Sequence, residues 1–232
     1  MYSRILLLLL TVVLTAPVFA KPENITDGEL ALTPEYCVDT ATMRYGSEFF
    51  NPSPRAAHWV GLMGKSFWAM HHYCWALINL RRAQMAGVTP TTRKYLLQEV
   101  IADCIYVIRN SGPDFIMLPE IYTRLGDTQL LVGDPASAQD AFEKARMAKP
   151  DYWPAYTHWA DVLVKINSKA QAKKLVAEGL RHAPDAKPLQ EKYKSLGGDP
   201  AEIVPIVKAL PTDDKAAAAE PAASATSAPP RL

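Results

Sequence analysis

Residues 119–152 read PEIYTRLGDTQLLVGDPASAQDAFEKARMAKPDY, and residues 153–186 read WPAYTHWADVLVKINSKAQAKKLVAEGLRHAPDA. The second stretch repeats the first at a distance of 34 residues, with small residues returning as small and large apolar residues as large apolar. The matched pairs are Tyr122 with Tyr156, Leu125 with Trp159, Gly126 with Ala160, Ala138 with Ala172, Phe142 with Val176, Ala145 with Gly179, and Pro150 with Pro184. A period of this length is typical of a helix–turn–helix unit in a solenoid. The pattern therefore predicts an all-α fold and a protein that holds another molecule.

The first copy resembles a tetratricopeptide repeat. The residues that carry this resemblance are Leu125, Gly126, Gln129, Gly133, Asp134, Ala138, Phe142, Ala145 and Pro150. The second copy shares fewer of them, and it has Asn167 at the turn where the family usually has glycine. The resemblance implies a solenoid of αα-hairpins whose first helices line a concave groove, and it carries no information about chemistry.

The resemblance also assigns residues to that groove by their position in each copy. They are Glu120, Thr123, Asp127, Leu130, Thr157, Asp161, Val164 and Lys165. Asp127 and Asp161 stand where peptide-binding members often carry Asn, so the groove is expected to be acidic and to repel a C-terminal carboxylate. The expected partner is another protein or an extended peptide of basic or neutral character, or a partner helix. In the alternative, these helices pack on the next hairpin and bind nothing.

The residues around the repeats provide neighbours for them, since two units are too few for a stable solenoid. Residues 55–112 predict an N-terminal αα-hairpin: one helix runs without proline over 55–85, and Thr89-Pro90 opens a second. Residues 21–54 predict an irregular leader, residues 113–186 the two repeats, and residues 187–210 C-terminal capping helices.

The two ends of the chain have the composition of unfolded or removed segments. Residues 1–20 combine Arg4, an apolar run and small residues before Ala20, so they predict a signal peptide cleaved after Ala20 and a periplasmic or secreted protein. No later apolar stretch is long enough to span a bilayer, so no stable membrane insertion is expected. Residues 211–232 are rich in Ala and Pro and predict a disordered tail.

The charge balance disfavours nucleic acid as a partner. The chain has 25 Lys and Arg and 24 Asp and Glu, and removing Arg4 leaves 24 of each. A net charge near zero without a dense basic block lacks the electrostatic footprint that nucleic acids require.

The three cysteines are Cys37, Cys74 and Cys104. In an exported chain they are consistent with one disulfide and one remaining thiol. The sequence does not fix the pairing. The pair Cys37–Cys74 is favoured because it would tie the leader to the first long helix, whereas Cys104 lies in an apolar helical pattern typical of a buried position.

One cluster suggests a different function. His71, His72 and Cys74 lie together, and His71 and Cys74 share one helix face, so they are weak candidates for a metal-binding protein or a small enzyme. The simpler interpretation is a packed helix face, because CxxC and HExxH are missing. CxxCH is missing too, which excludes covalent c-type haem, and no cofactor is expected.

The apolar residues between Trp59 and Trp75 suggest a further alternative, an obligate homo-oligomer built on the aromatic N-terminal helix. The leading hypothesis remains a non-enzymatic binding or assembly scaffold of the bacterial envelope that uses its repeat groove.

Overall fold

The computed structural model describes residues 21–40 and 53–206. The predicted signal peptide and the whole of the predicted disordered tail lie outside these residues. Nine α-helices follow one another in the described part of the chain, and it contains no β-strand. The first three helices are α1 (Asp27–Ala31), α2 (Ala56–Met63) and α3 (Met70–Gln84), and they precede the repeat region. The prediction of an all-α fold is confirmed.

The first long helix of the hairpin is interrupted, contrary to the prediction of one helix over residues 55–85. A 3₁₀ helix, Gly64–Ala69, separates α2 from α3. Gly64 has a φ of 64°, in the left-handed region that an α-helix cannot include. The glycine therefore ends α2 and redirects the chain into α3.

The hairpin itself is formed by α3 and α4 (Pro90–Arg109), which pack against each other along their length. Thr89 caps α4, since its hydroxyl accepts a hydrogen bond of 3.1 Å from the Thr92 amide, and Pro90 occupies the first turn where its missing N–H costs nothing. The buried side chains of α3 and α4 belong to one core with the leader and α5.

The repeat region consists of four helices, two in each copy of the 34-residue pattern. They are α5 (Leu118–Leu131), α6 (Pro135–Ala148), α7 (Trp153–Lys165) and α8 (Lys169–His182). Small residues allow the two helices of each unit to come close. A Cβ at Gly126 would lie 3.0 Å from the Phe142 ring, and one at Gly179 would lie 2.8 Å from Cγ of Tyr156. The pairs of small and large residues in the sequence are thus contacts between helices.

The end of the repeat region is covered by α9 (Lys187–Ser195), which packs on both α7 and α8. Leu189, Tyr193 and Leu196 complete the second core there. The chain then forms a 3₁₀ turn, Pro200–Glu202, and residues 203–206 are not helical, so the second predicted capping helix is absent from the described residues.

Residues 21–40 of the leader are attached to α3 by a disulfide and by hydrogen bonds from Arg81 and Arg82. Cys37, in a 3₁₀ helix (Glu35–Asp39), forms a disulfide with Cys74, the pair that the sequence favours. Arg82 binds Glu29 with two hydrogen bonds, 2.5 Å from Nε and 2.9 Å from Nη2, and these hold the pKa of Glu29 at about 2. Cys104 is a buried free thiol. Residues 21–40 of the leader are therefore part of the folded unit.

Candidate functional site

The first helices of the units form one continuous row. Contacts join α5 to α7 and α7 to α9, while α6 and α8 pack behind them. We call the surface of α5, α7 and α9 that faces away from α6 and α8 the inner face. It corresponds to the groove expected from the sequence.

Two ion pairs cross the inner face at equivalent places. Asp127 of α5 binds His158 of α7, with 2.9 Å between Oδ1 and Nδ1, and Asp161 of α7 binds Lys192 of α9. Each acid lies 31 residues before its base. The two pairs are related by the 34-residue repeat, so each unit contributes an acid to the next unit and a base to the previous one.

These pairs correct the expectation of an acidic groove. Asp127 and Asp161 do not present two free negative charges, because a base from the neighbouring unit lies against each of them. The two aspartates therefore no longer give a reason to expect that the groove repels a C-terminal carboxylate.

The other groove positions differ in their accessibility. Thr123 and Thr157 are buried, and their hydroxyls donate to the carbonyls of Pro119 and Pro154 in their own helices. They are unavailable to a partner, so their assignment to the groove is wrong. Leu130 is half-buried and belongs to the margin of the second core, whereas Val164 and Lys165 are exposed.

The Asp127–His158 pair gives a titration that can be measured. The Asp127 hydrogen bond raises the pKa of His158 above its usual value, against the opposing effect of burial. We expect Asp127→Asn to lower the pKa of His158, as read from the pH dependence of its ring signals in NMR spectra. The raised pKa means that the pair stabilises the fold below the pKa of an unfolded histidine, and that this contribution disappears as the pH rises through the folded pKa. Asp140→Asn on α6 is the control, and an equal shift in that variant would contradict the assignment.

Glu120, the first groove position, is the centre of a polar cluster. Its Oε1 accepts hydrogen bonds from the Tyr73 hydroxyl at 2.8 Å and from Arg124 Nη2 at 3.2 Å, and its Oε2 accepts one from the Tyr152 hydroxyl. Burial alone would raise the pKa of Glu120, but these donors and the Arg124 charge outweigh burial and lower it. The carboxylate is therefore ionised and fully engaged by neighbouring side chains.

A pocket of about 610 Å³ opens beside this cluster. Its walls come from the leader, α3, the start of α5 and the turn before α7. They consist of Leu32, Pro34, Tyr36, Tyr73, Leu77, Leu80, Arg81, Gln84, Ile116, Met117, Glu120, Arg124, Lys149 and Tyr152. Such a volume is within the range of ligand sites in proteins. Of the groove positions expected from the sequence, only Glu120 lies in this pocket.

The leader contributes the part of the pocket that sequence reasoning missed. Tyr36 is next to Cys37, so the disulfide to Cys74 places its ring against α3. The favoured cysteine pairing was the one sequence signal that could have located this wall, since any residue beside a cross-linked cysteine must lie close to the partner helix.

The His71, His72 and Cys74 cluster belongs to the core. Both imidazoles are buried; His71 Nδ1 is 2.7 Å from the Trp68 carbonyl, and His72 Nδ1 is 2.6 Å from Asp103 Oδ1. Burial lowers the pKa of both histidines and raises that of Asp103. The Cys74 sulfur is in a disulfide, so it cannot serve as a thiolate ligand or nucleophile.

Acidic, histidine and cysteine side chains do not assemble elsewhere either: residues 21–40 and 53–206 contain no group of three that could hold a metal ion. Within the same ranges no helix has the length and apolar character needed to cross a membrane.

The aromatic residues of the N-terminal helices are divided between core and surface. Trp75 is buried, and Trp59 donates from Nε1 to Asp39 Oδ2 at 2.8 Å. Trp68 and Leu62 are exposed. Two of these tryptophans thus have internal roles, and an interface on these helices would depend on the exposed pair.

The comparison with known proteins agrees with this geometry. A sequence model of the tetratricopeptide repeat family matches residues 129–196, a span from the second half of α5 to the end of α9. The match includes α9, which carries Lys192 at the position of His158 and so corresponds to the first helix of a further unit. No curated protein matches the chain. The paired helices, the 34-residue period and the family match identify tetratricopeptide repeats in this part of the chain, with a helical hairpin and a cross-linked leader in front of them.

Proposed function

We propose that this protein is a non-enzymatic scaffold that holds a partner protein on its inner face, in the envelope of a bacterium. Tetratricopeptide repeats generally act by binding other proteins rather than by catalysis. The observation that carries the proposal is the inner face itself, a row of three helices in register that continues into a pocket of about 610 Å³. The signal-like residues 1–20 and the Cys37–Cys74 disulfide support an oxidising compartment.

The geometry favours an extended segment of the partner over a flat docking surface. The ion pairs fix the spacing of α5, α7 and α9, so the inner face is preorganised and loses little entropy on binding. We propose that such a segment contacts both the exposed Val164 on α7 and the pocket beside α5.

The proposal is tested by capture of partners from a native envelope extract with matched variants. Val164 is 40% exposed and follows Asp161 by three residues on α7, so it shares the inner face, whereas Met147 is 74% exposed on the outer helix α6. We expect Val164→Arg to abolish capture of the bound protein and Met147→Arg to leave it unchanged. Loss in both variants, or in neither, would exclude the inner face as the binding surface.

A further inference from the structure

The pocket beside Glu120 carries an excess of positive charge. Three cations line it, Arg81, Arg124 and Lys149, against the single anion Glu120, which leaves a formal charge of 3 − 1 = +2. Glu120 already accepts hydrogen bonds from Tyr73, Tyr152 and Arg124, so much of its negative charge is engaged within the protein. The pocket therefore favours an anionic guest.

Buried donors in the pocket lack acceptors. Arg124 Nε, Arg81 Nη1 and the Tyr36 hydroxyl are buried and have no hydrogen-bond partner within residues 21–40 and 53–206. Tyr36 as a whole is only 7% exposed. A buried donor without an acceptor is costly, and more so when it is charged. All three groups can donate, so the missing partner is an acceptor such as a carboxylate, which reaches these buried atoms when the side chains around them shift.

The repeat pattern identifies the missing acceptor independently. Arg124, His158 and Lys192 occupy the same position in successive units, 34 residues apart. His158 and Lys192 each pair with an aspartate from the preceding unit. Arg124 has no such aspartate, because the residue 34 positions before Asp127 is Arg93 and the preceding hairpin is not a copy of the repeat. Arg124 instead forms an ion pair with Glu120, four residues earlier in its own helix.

We propose that this pocket binds the side-chain carboxylate of a Glu or Asp within an extended segment of the partner. The carboxylate takes the place of the aspartate that the preceding unit does not supply, and pairs with Arg124 and Arg81. An apolar neighbour of that residue packs on Leu77, Leu80 and Ile116. The ionised Glu120 disfavours a doubly charged phosphate, and a single carboxylate matches the chemistry of the two equivalent pairs. This inference rests on the proposed binding of a protein at the inner face.

The test uses the full chain labelled with ¹⁵N and three peptide probes. The first is acetyl-Ala-Leu-Glu-Leu-Ala-amide, the second has Gln in place of Glu, and the third has Gln and a free C-terminal carboxylate. We expect the Glu peptide to bind about tenfold more tightly than either Gln peptide, as a charge-assisted hydrogen bond predicts, and to shift the Nε–H resonance of Arg124.

Variants connect the preference to the two arginines. Arg81→Gln and Arg124→Gln are expected to remove the preference for Glu, and Lys169→Gln, at the exposed start of α8, is expected to retain it. Arg81 is half-buried, and its hydrogen bond to the Leu32 carbonyl is exposed, so Arg81→Gln provides the test if Arg124→Gln unfolds the chain. Equal binding of all three peptides, no binding of any, tighter binding of the free C-terminus, or a preference unchanged in Arg81→Gln would each overturn the proposal.

The two proposals can fail separately. If Val164→Arg abolishes capture but the three peptides bind equally, the inner face remains the binding surface and the carboxylate site is excluded. If the Glu peptide binds more tightly but Val164→Arg has no effect on capture, the carboxylate site remains and the inner face is excluded.

Discussion

Loss of the Cys37–Cys74 disulfide is expected to lower the free energy of unfolding by about 4 kcal/mol. The two cysteines are 37 residues apart, and closing a loop of that length in the unfolded chain stabilises the fold by about that amount in the chain-entropy treatment. Both residues are fully buried, so the double variant Cys37→Ala/Cys74→Ala removes the cross-link without introducing a polar group. Urea unfolding of the wild type and the double variant, with and without reductant, measures the difference.

The controls separate the cross-link from other effects of reductant. We expect the wild type to lose stability in reductant and the double variant to be indifferent to it. Cys104→Ala, which removes the buried free thiol, should respond to reductant as the wild type does. A loss below about 1 kcal/mol would mean that the leader is held by its other contacts, chiefly the Arg82–Glu29 pair.

The second large effect is expected at Phe142. Its ring is fully buried, lies against Gly126, and has its centroid 5.8 Å from that of Trp159. Phe142 therefore connects the two helices of one unit and also reaches the next unit. We expect Phe142→Ala to lower the free energy of unfolding by about 3–5 kcal/mol, because it deletes a large buried side chain. Gly126, which faces the ring, has no side chain that could move into the cavity.

Met147→Ala on the same helix is the matched control for Phe142→Ala. Met147 is exposed, so its truncation should change stability by no more than about 0.5 kcal/mol. Urea unfolding of the two variants gives both values, and similar values for the two would show that Phe142 does not join the units.

The two helices of each repeat could be predicted from the sequence. The small residues, the turn Gly133-Asp134 and the prolines at the helix starts all specify local structure, and local and tertiary preferences agree there. The break at Gly64 could not be predicted in this way. A glycine in an apolar helical pattern is compatible with a weakened helix or with a left-handed turn, and only the packing of α2 against its neighbours decides between them.

The candidate site was predicted only in part, because its chemistry depends on contacts between units. Considered one position at a time, Asp127 and Asp161 indicate an acidic groove. Their bases lie 31 residues further along the chain, and the pairing becomes visible in the sequence only when positions 124, 158 and 192 are compared as a set. The pocket depends in addition on the leader, whose sequence has no regular pattern, and its place is fixed by a covalent bond.

The Cys37–Cys74 disulfide also determines when the pocket is complete. Tyr36 forms a wall of the pocket because its neighbour Cys37 is joined to α3. A newly made chain whose cysteines are still reduced has the repeats, but the pocket wall that contains Tyr36 lacks its covalent attachment to α3. Under the proposed function, competence to bind at the pocket is therefore expected to follow oxidation of the two cysteines.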